Sequence, residues 1–213
     1  MTPKDQSAIA RDIAALAPII PVLVIDDASH ARPLAEALVA GGLPALEVTL
    51  RTPAALDVIR EMAKVPGGVV GAGTLLTPAD VRAAKQAGAR FGVSPGATPR
   101  LIAACVAEGL PLLPGAATAS EVMALYEQGF DMLKFFPAEA AGGARALKAI
   151  GAPIPQVSFC PTGGITPQTA PDYLSLSNVI CAGGSWVAPK DMVEARDWAG
   201  IEALSRAAAA IAR

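Results

Sequence analysis

The chain has 213 residues, 53% hydrophobic and 17% charged, with a formal net charge of -2 and a pI near 5.4. That length suits one sizeable core and a single domain over residues 1–213. The weakly acidic balance, with no cluster of Lys and Arg, argues against a nucleic-acid or anionic-membrane partner. No apolar run approaches the roughly 18 to 20 residues of a membrane span, and the polar segment Met1 to Arg11 does not read as a signal peptide.

Asp5–Leu16 reads as an extra N-terminal helix. Short, nearly continuous apolar runs then alternate with longer segments of helical spacing. In chain order, the strand Ile19–Ile25 leads to a helix Ala31–Ala40, and Ala45–Leu50 to Pro53–Lys64. Gly68–Gly71 precedes Pro78–Ala87, Arg90–Val93 precedes Arg100–Ala107, and Leu110–Leu113 precedes Ala119–Glu127. Met132–Phe136 precedes Ala144–Ile150, after which Gln156–Cys160 and Asn178–Cys181 complete the strands and Gly200–Arg213 forms an Ala-rich closing helix. Ser29, Thr52, Thr77 and Thr98 look like N-caps, and Gly41, Gly88, Gly109, Gly129 and Gly151 like helix ends.

Roughly eight strand–helix units in a chain of this size predict an α/β fold, a single (β/α)₈ TIM barrel with the extra N-terminal helix. An open doubly wound sheet is the competitor. It needs a Gly-rich turn after the first strand, where Ile25-Asp26-Asp27-Ala28 stands instead.

In such a barrel, activity belongs to the C-terminal ends of the strands and the loops beyond. The polar residues there are few: Glu47, Thr49 and Arg51 on the second strand, Gly73 and Thr74 on the third, Ser94 and Pro95 on the fourth. The sixth offers Lys134, the seventh Thr162, Gly163 and Gly164, and the eighth Gly183, Gly184 and Ser185. Side chains alternate along a strand, so Glu47, Thr49 and Arg51 share a face that must point inward.

Lys134 is singled out by its neighbours, Met-Leu-Lys-Phe-Phe-Pro, because the other lysines fall in helical or terminal segments. Burial disfavours an ammonium, and a neutral amine is the form that attacks a ketone to give a Schiff base. Glu47 would then carry protons to and from the reacting atoms. The blander alternative is a structural Lys134–Glu47 ion pair, although buried pairs are a poor source of stability. Arg51 suits a carboxylate, since its planar fork binds two oxygens, or it is a solvated loop arginine. Thr74 either adds a hydroxyl to the same anion or is a plain N-cap. The two late glycine clusters match the place where barrels of this kind build phosphate sites from backbone N–H groups. Cys105, Cys160 and Cys181 have no metal-ligand spacing and read as reduced, buried thiols. His30 is the lone histidine, so neither a metal cluster nor Ser-His chemistry is expected, and no cofactor is called for.

Several segments together carry a resemblance. They are Glu47-Val48-Thr49-Leu50-Arg51, Gly71-Ala72-Gly73-Thr74, Ser94-Pro95-Gly96, Lys134-Phe135-Phe136-Pro137-Ala138-Glu139, Pro161-Thr162-Gly163-Gly164-Ile165 and Gly183-Gly184-Ser185-Trp186. From about Ile13 to Trp186 the chain resembles the 2-keto-3-deoxy-6-phosphogluconate (KDPG) aldolases, class I enzymes of the Entner–Doudoroff pathway often also active on 4-hydroxy-2-oxoglutarate. The resemblance implies a cytoplasmic homotrimer that cleaves KDPG to pyruvate and glyceraldehyde 3-phosphate. It implies an imine on Lys134, proton transfer by Glu47, and Arg51 and Thr74 on the pyruvate carboxylate. Pro95 and Phe136 would line the pocket, Thr162 would meet the aldehyde, and Gly163, Gly164, Gly184 and Ser185 would hold the phosphate. One departure is visible: Ala116-Ala117 follow Gly115 where a hydroxyl residue is expected. The C4 epimer of KDPG, from galactonate, is the nearest rival substrate, and Thr162 favours KDPG over it. A phosphosugar isomerase would need a carboxylate pair or histidine set, and a vestigial phosphate-binding barrel would have no use for Lys134, Glu47 and Arg51 together.

Overall fold

A computed structural model describes residues 1–212. Helix α1 (Pro3–Ala14) opens with a capping box, in which Thr2 and Asp5 each satisfy a backbone N–H of the other. There follow β1 (Ile19–Leu23), a 3₁₀ turn (Ala28–His30), α2 (Ala31–Ala40), β2 (Ala45–Thr49), α3 (Ala55–Met62) and β3 (Val69–Gly73). Next come α4 (Pro78–Gln86), β4 (Phe91–Val93), α5 (Pro99–Glu108), β5 (Leu112–Leu113), β6 (Gly115–Ala116) and α6 (Ala119–Glu127). The chain continues through β7 (Met132–Phe135), α7 (Gly143–Gly151), β8 (Ser158–Pro161), α8 (Ala170–Leu174), β9 (Ala182–Gly184), α9 (Lys190–Glu194) and α10 (Trp198–Ala209).

The strand pairs are parallel and form two sheets, β5-β4-β3-β2-β1-β9 and β6-β7-β8. Parallel strands with helical crossovers give a curled sheet covered by helices. The sheets meet at both flanks. Pro114 alone separates β5 from β6, and single parallel bridges join Phe159 to Val179 and Thr162 to Gly183. At the N-terminal ends of the strands α1 ties them together. Gln6 Oε1 accepts from the Leu112 N–H at 3.2 Å, Ser7 Oγ accepts from the Met132 N–H at 2.8 Å, and Arg11 donates to Ser158 Oγ at 2.6 Å.

Strand alternation sorts the core into two layers. Leu46, Val48, Leu133 and Phe135 face the helices and join the larger cluster. Ile20, Ala45, Phe91, Val93, Met132, Cys160 and Cys181 fill the concave side, closed from below by Ala10 and Ala14 of α1. All three cysteines are buried, and burial pushes the Cys105 thiol up to about 12.

Several expectations need correction. Ser29 does not cap α2; Asp27 accepts the Ser29 N–H at 2.8 Å and caps the 3₁₀ turn instead. Thr52 caps nothing either, because its hydroxyl donates to Ile25 O at 2.6 Å and α3 starts three residues later. Gly151 is the last residue of α7 rather than its stop. The eighth run, expected at Asn178–Cys181, pairs further on: Ala182, Gly183 and Gly184 sit opposite Ile19, Ile20 and Pro21 of β1. Gly183 and Gly184 are therefore strand residues, not a turn beyond the strand. The closing helix begins at Trp198, capped by the Asp197 carboxylate, and Arg213 lies outside the described residues.

Candidate active site

The inner layer of the core predicts the site by simple alternation. Two residues beyond each of its members, the next side chain on that face emerges above the apolar floor. Ile20 is followed by Val22 and Val24, Ala45 by Glu47 and Thr49, Val93 by Pro95, Met132 by Lys134 and Phe136, Cys160 by Thr162, and Cys181 by Gly183 and Ser185. Every one of these lines a single cavity of about 630 Å³ at the C-terminal ends of the strands.

At its base, Lys134 Nζ lies 3.4 Å from Glu47 Oε1, with the two side chains only 7% and 4% exposed. The Phe136 ring stands beside the amine, its centroid 5.0 Å from Nζ. Glu47 owes its position partly to Gly73 on the neighbouring strand. A Cβ there would come within 2.8 Å of Glu47 Cγ and 2.9 Å of its Cδ. Thr49 is anchored by donating its hydroxyl to Leu23 O at 2.9 Å.

Arg51 lines the same cavity from an exposed position and makes no ion pair with any described residue. Thr74 also lines it and adopts φ 62, a left-handed conformation that is strained for a β-branched residue. The N-cap of α4 is Thr77, paired with Asp80, so the alternative of Thr74 as a plain N-cap falls away. Across the mouth, Thr162 holds its backbone N–H on Phe135 O at 2.9 Å, and Gly163 and Gly164 follow at φ 107 and 79. Those positive φ values are open to glycine at no steric cost. Ser185 completes that side.

Of the strand-end residues expected at the site, Gly73, Ser94 and Gly184 do not line the cavity, and of these Gly184 alone had been given a role. It is buried in β9, and a Cβ on it would overlap the Trp186 indole. Gly183 takes its place on the concave side. Val22, Val24 and Thr166 line the cavity without having been singled out, and Ile165 and Trp186 had only their places in motifs. The valines were legible in principle: Val22 pairs in register with Glu47, so the inward face of β2 implies the inward face of β1. Among the described residues no group of three or more His, Cys, Asp or Glu side chains is arranged to hold a metal ion. No helix among them is long and apolar enough to cross a membrane.

Chemically, the arrangement places an amine and a carboxyl group in hydrogen-bonding reach, out of bulk water, with a guanidinium on one side and backbone-rich turns on the other. That is an equipped site for imine chemistry on an anionic ketone.

Residues 10–204 match the family model described as aldolase, KDPG and KHG aldolase. The 2-dehydro-3-deoxy-phosphogluconate aldolase of Pseudoalteromonas atlantica is 50% identical over 208 residues, covering 97% of both chains. The KHG/KDPG aldolase of Escherichia coli K12 is 49% identical over 206 residues, covering 96% of this chain and 97% of its own. The structure of a KDPG aldolase from Legionella pneumophila, with pyruvate captured as a covalent carbinolamine, superposes with a TM-score of 0.91 at 45% identity, covering 94% of this chain and 98% of its own. The concave cavity, the buried amine and this likeness along nearly the whole length agree, and the chain belongs to the KDPG and KHG aldolase family.

Proposed function

We propose that this protein is a class I aldolase that reversibly cleaves KDPG to pyruvate and glyceraldehyde 3-phosphate, and also cleaves 4-hydroxy-2-oxoglutarate to pyruvate and glyoxylate. The observation that carries the reading is the buried Lys134–Glu47 pair, 3.4 Å apart at the base of a cavity that Arg51 also lines. In this reading the Lys134 amine adds to the C2 carbonyl and Glu47 supplies the proton that lets water leave, giving the protonated imine. Glu47 then takes the C4 hydroxyl proton. The C3–C4 bond breaks, C4 becomes the aldehyde carbonyl, and the electron pair neutralises the iminium as an enamine. Protonation at C3 and hydrolysis return pyruvate and the free amine. The lysine itself is the electron sink, so the chemistry calls for no cofactor.

Arg51 and Thr74 are assigned to the keto-acid carboxylate, because Arg51 shares a strand with Glu47 beside the imine. Pro95 and Phe136 form walls, and Thr162 meets the aldehyde half. Gly163, Gly164 and Ser185 are assigned to the phosphate, with Gly183 rather than Gly184 on the concave side. We also infer that the two sheets form one closed (β/α)₈ barrel in a single domain, β5 and β6 being one strand broken at Pro114, whose missing N–H interrupts the ladder. A homotrimer is proposed from the family likeness, and a cytoplasmic location from charged, phosphorylated metabolites as substrates.

Pyruvate with borohydride tests the reading: it should inactivate the protein and leave a reduced pyruvyl group on Lys134. Label on any other lysine, or none, overturns it. Retro-aldol assays on KDPG, its C4 epimer and 4-hydroxy-2-oxoglutarate then rank the substrates.

A further inference from the structure

We infer that Glu139 and Tyr173, neither of which lines the cavity, form a clamp that positions the Thr162–Gly164 turn and thereby sets affinity for the phosphorylated end of the substrate. This rests on the reading above that the turn meets the phosphate. Two consecutive glycines at φ 107 and 79 have the widest conformational freedom the chain can have. A turn that presents N–H groups to an anion works only when something else holds it.

Here the holding element is the segment after Phe136. The Ala138 N–H donates to Thr162 O at 2.9 Å and the Glu139 N–H donates to Gly163 O at 3.0 Å. The Glu139 stem lies against Gly164 so closely that a Cβ on that glycine would stand 2.9 Å from Glu139 Cβ and Cγ. What fixes Glu139 is Tyr173. The ring of Tyr173 is buried in α8, and its hydroxyl donates to Glu139 Oε1 at 2.7 Å. Burial, and then the Glu139 carboxylate, push the phenol above its ordinary range, so it remains a donor throughout the working pH range. The hydroxyl thus passes the rigidity of a packed helix to a turn that has little of its own.

Tyr173→Phe removes the donor and keeps the ring in its packing. KM for KDPG should rise three- to tenfold, kcat should stay within about twofold, and kcat/KM for 4-hydroxy-2-oxoglutarate, which has no phosphate, should be unchanged. Glu139→Gln keeps an oxygen for the Tyr173 hydroxyl, so it should hold KM for KDPG at or below the wild-type value. Glu139→Ala should reproduce the Tyr173→Phe effect, and combining the two should add nothing further. Equal damage to both substrates, no change in KM for KDPG, or additive losses in the double variant would each overturn the clamp. A wild-type protein inactive on KDPG would sink the functional reading and the clamp with it. An active wild type with unresponsive variants would sink the clamp alone.

Discussion

Lys134 Nζ and Glu47 Oε1 lie 3.4 Å apart, on strands 87 residues distant in sequence, with both side chains almost wholly withdrawn from solvent. As a stabilising device the pair is poor, since desolvating two charges costs several kcal/mol and attraction repays it only with good geometry and further hydrogen bonds. No other hydrogen bond to either side chain accompanies it among the described residues. The arrangement makes sense as paired amine and acid held apart from water until a ketone arrives.

Glu47→Gln tests the assignment directly. The amide keeps the shape and cannot exchange protons, so kcat should fall by about 10² to 10⁴ with little change in KM. Steady-state kinetics on KDPG decide it. A raised KM with kcat intact would make Glu47 a charge-balancing residue.

Gly73→Ala probes the same carboxylate by displacing it rather than replacing it. The added methyl would stand 2.8 Å from Glu47 Cγ, so the side chain must swing away from Lys134. A displacement near 1 Å at a reacting group costs on the order of 10²-fold. We expect kcat to drop by about ten- to a hundredfold with the melting temperature nearly preserved. A fully active Gly73→Ala protein would show that Glu47 has room to reposition.

The sequence made most of this site legible because strand alternation is rigid. Once Met132 and Ala45 are known to face inward, Lys134 and Glu47 follow two residues on. The eighth strand was misplaced for a physical reason. Gly183 and Gly184 have no side chain to show alternation, and only their ladder to Ile20 and Pro21 makes them strand. Helices α8 and α9, of 5 residues each, are too short for helical periodicity to emerge. Thr52 carried a cap signature, yet its hydroxyl found Ile25 O, a partner 27 positions away that no local pattern reveals. The same holds for Tyr173 and Glu139, brought together from 34 positions apart.

Cys105 offers a test of burial by chemistry. Only a thiolate alkylates readily, and burial pushes this thiol up to about 12. Iodoacetamide at pH 8 should leave it unlabelled in the folded protein and label it in urea, as peptide mass mapping will show. The sign of the linked stability follows. The folded state keeps a proton that the unfolded chain releases near its ordinary value, so this contribution is fully present below about pH 9 and is lost as pH rises toward 12. Rapid native alkylation would mean that α5 opens far more readily than its packing suggests.

The two ends of the substrate are separable by two substitutions and two substrates. Gly184→Val would be a poor probe of the phosphate end, because its Cβ would overlap the Trp186 indole, and any loss would report that collision. Ser185→Ala is cleaner, since Ser185 is exposed at the mouth and makes no hydrogen bond to a described residue that the change would break. A hydrogen bond to a charged group is worth about 1.5 to 3 kcal/mol, so kcat/KM for KDPG should fall roughly ten- to a hundredfold. Cleavage of 4-hydroxy-2-oxoglutarate should be nearly unaffected, since it lacks the phosphate. Arg51→Ala should instead damage both reactions to a similar degree, because both substrates present the same keto-acid end to the strand that carries Glu47. If Ser185→Ala weakens both substrates equally, or Arg51→Ala spares 4-hydroxy-2-oxoglutarate, the substrate lies across the cavity in the opposite sense.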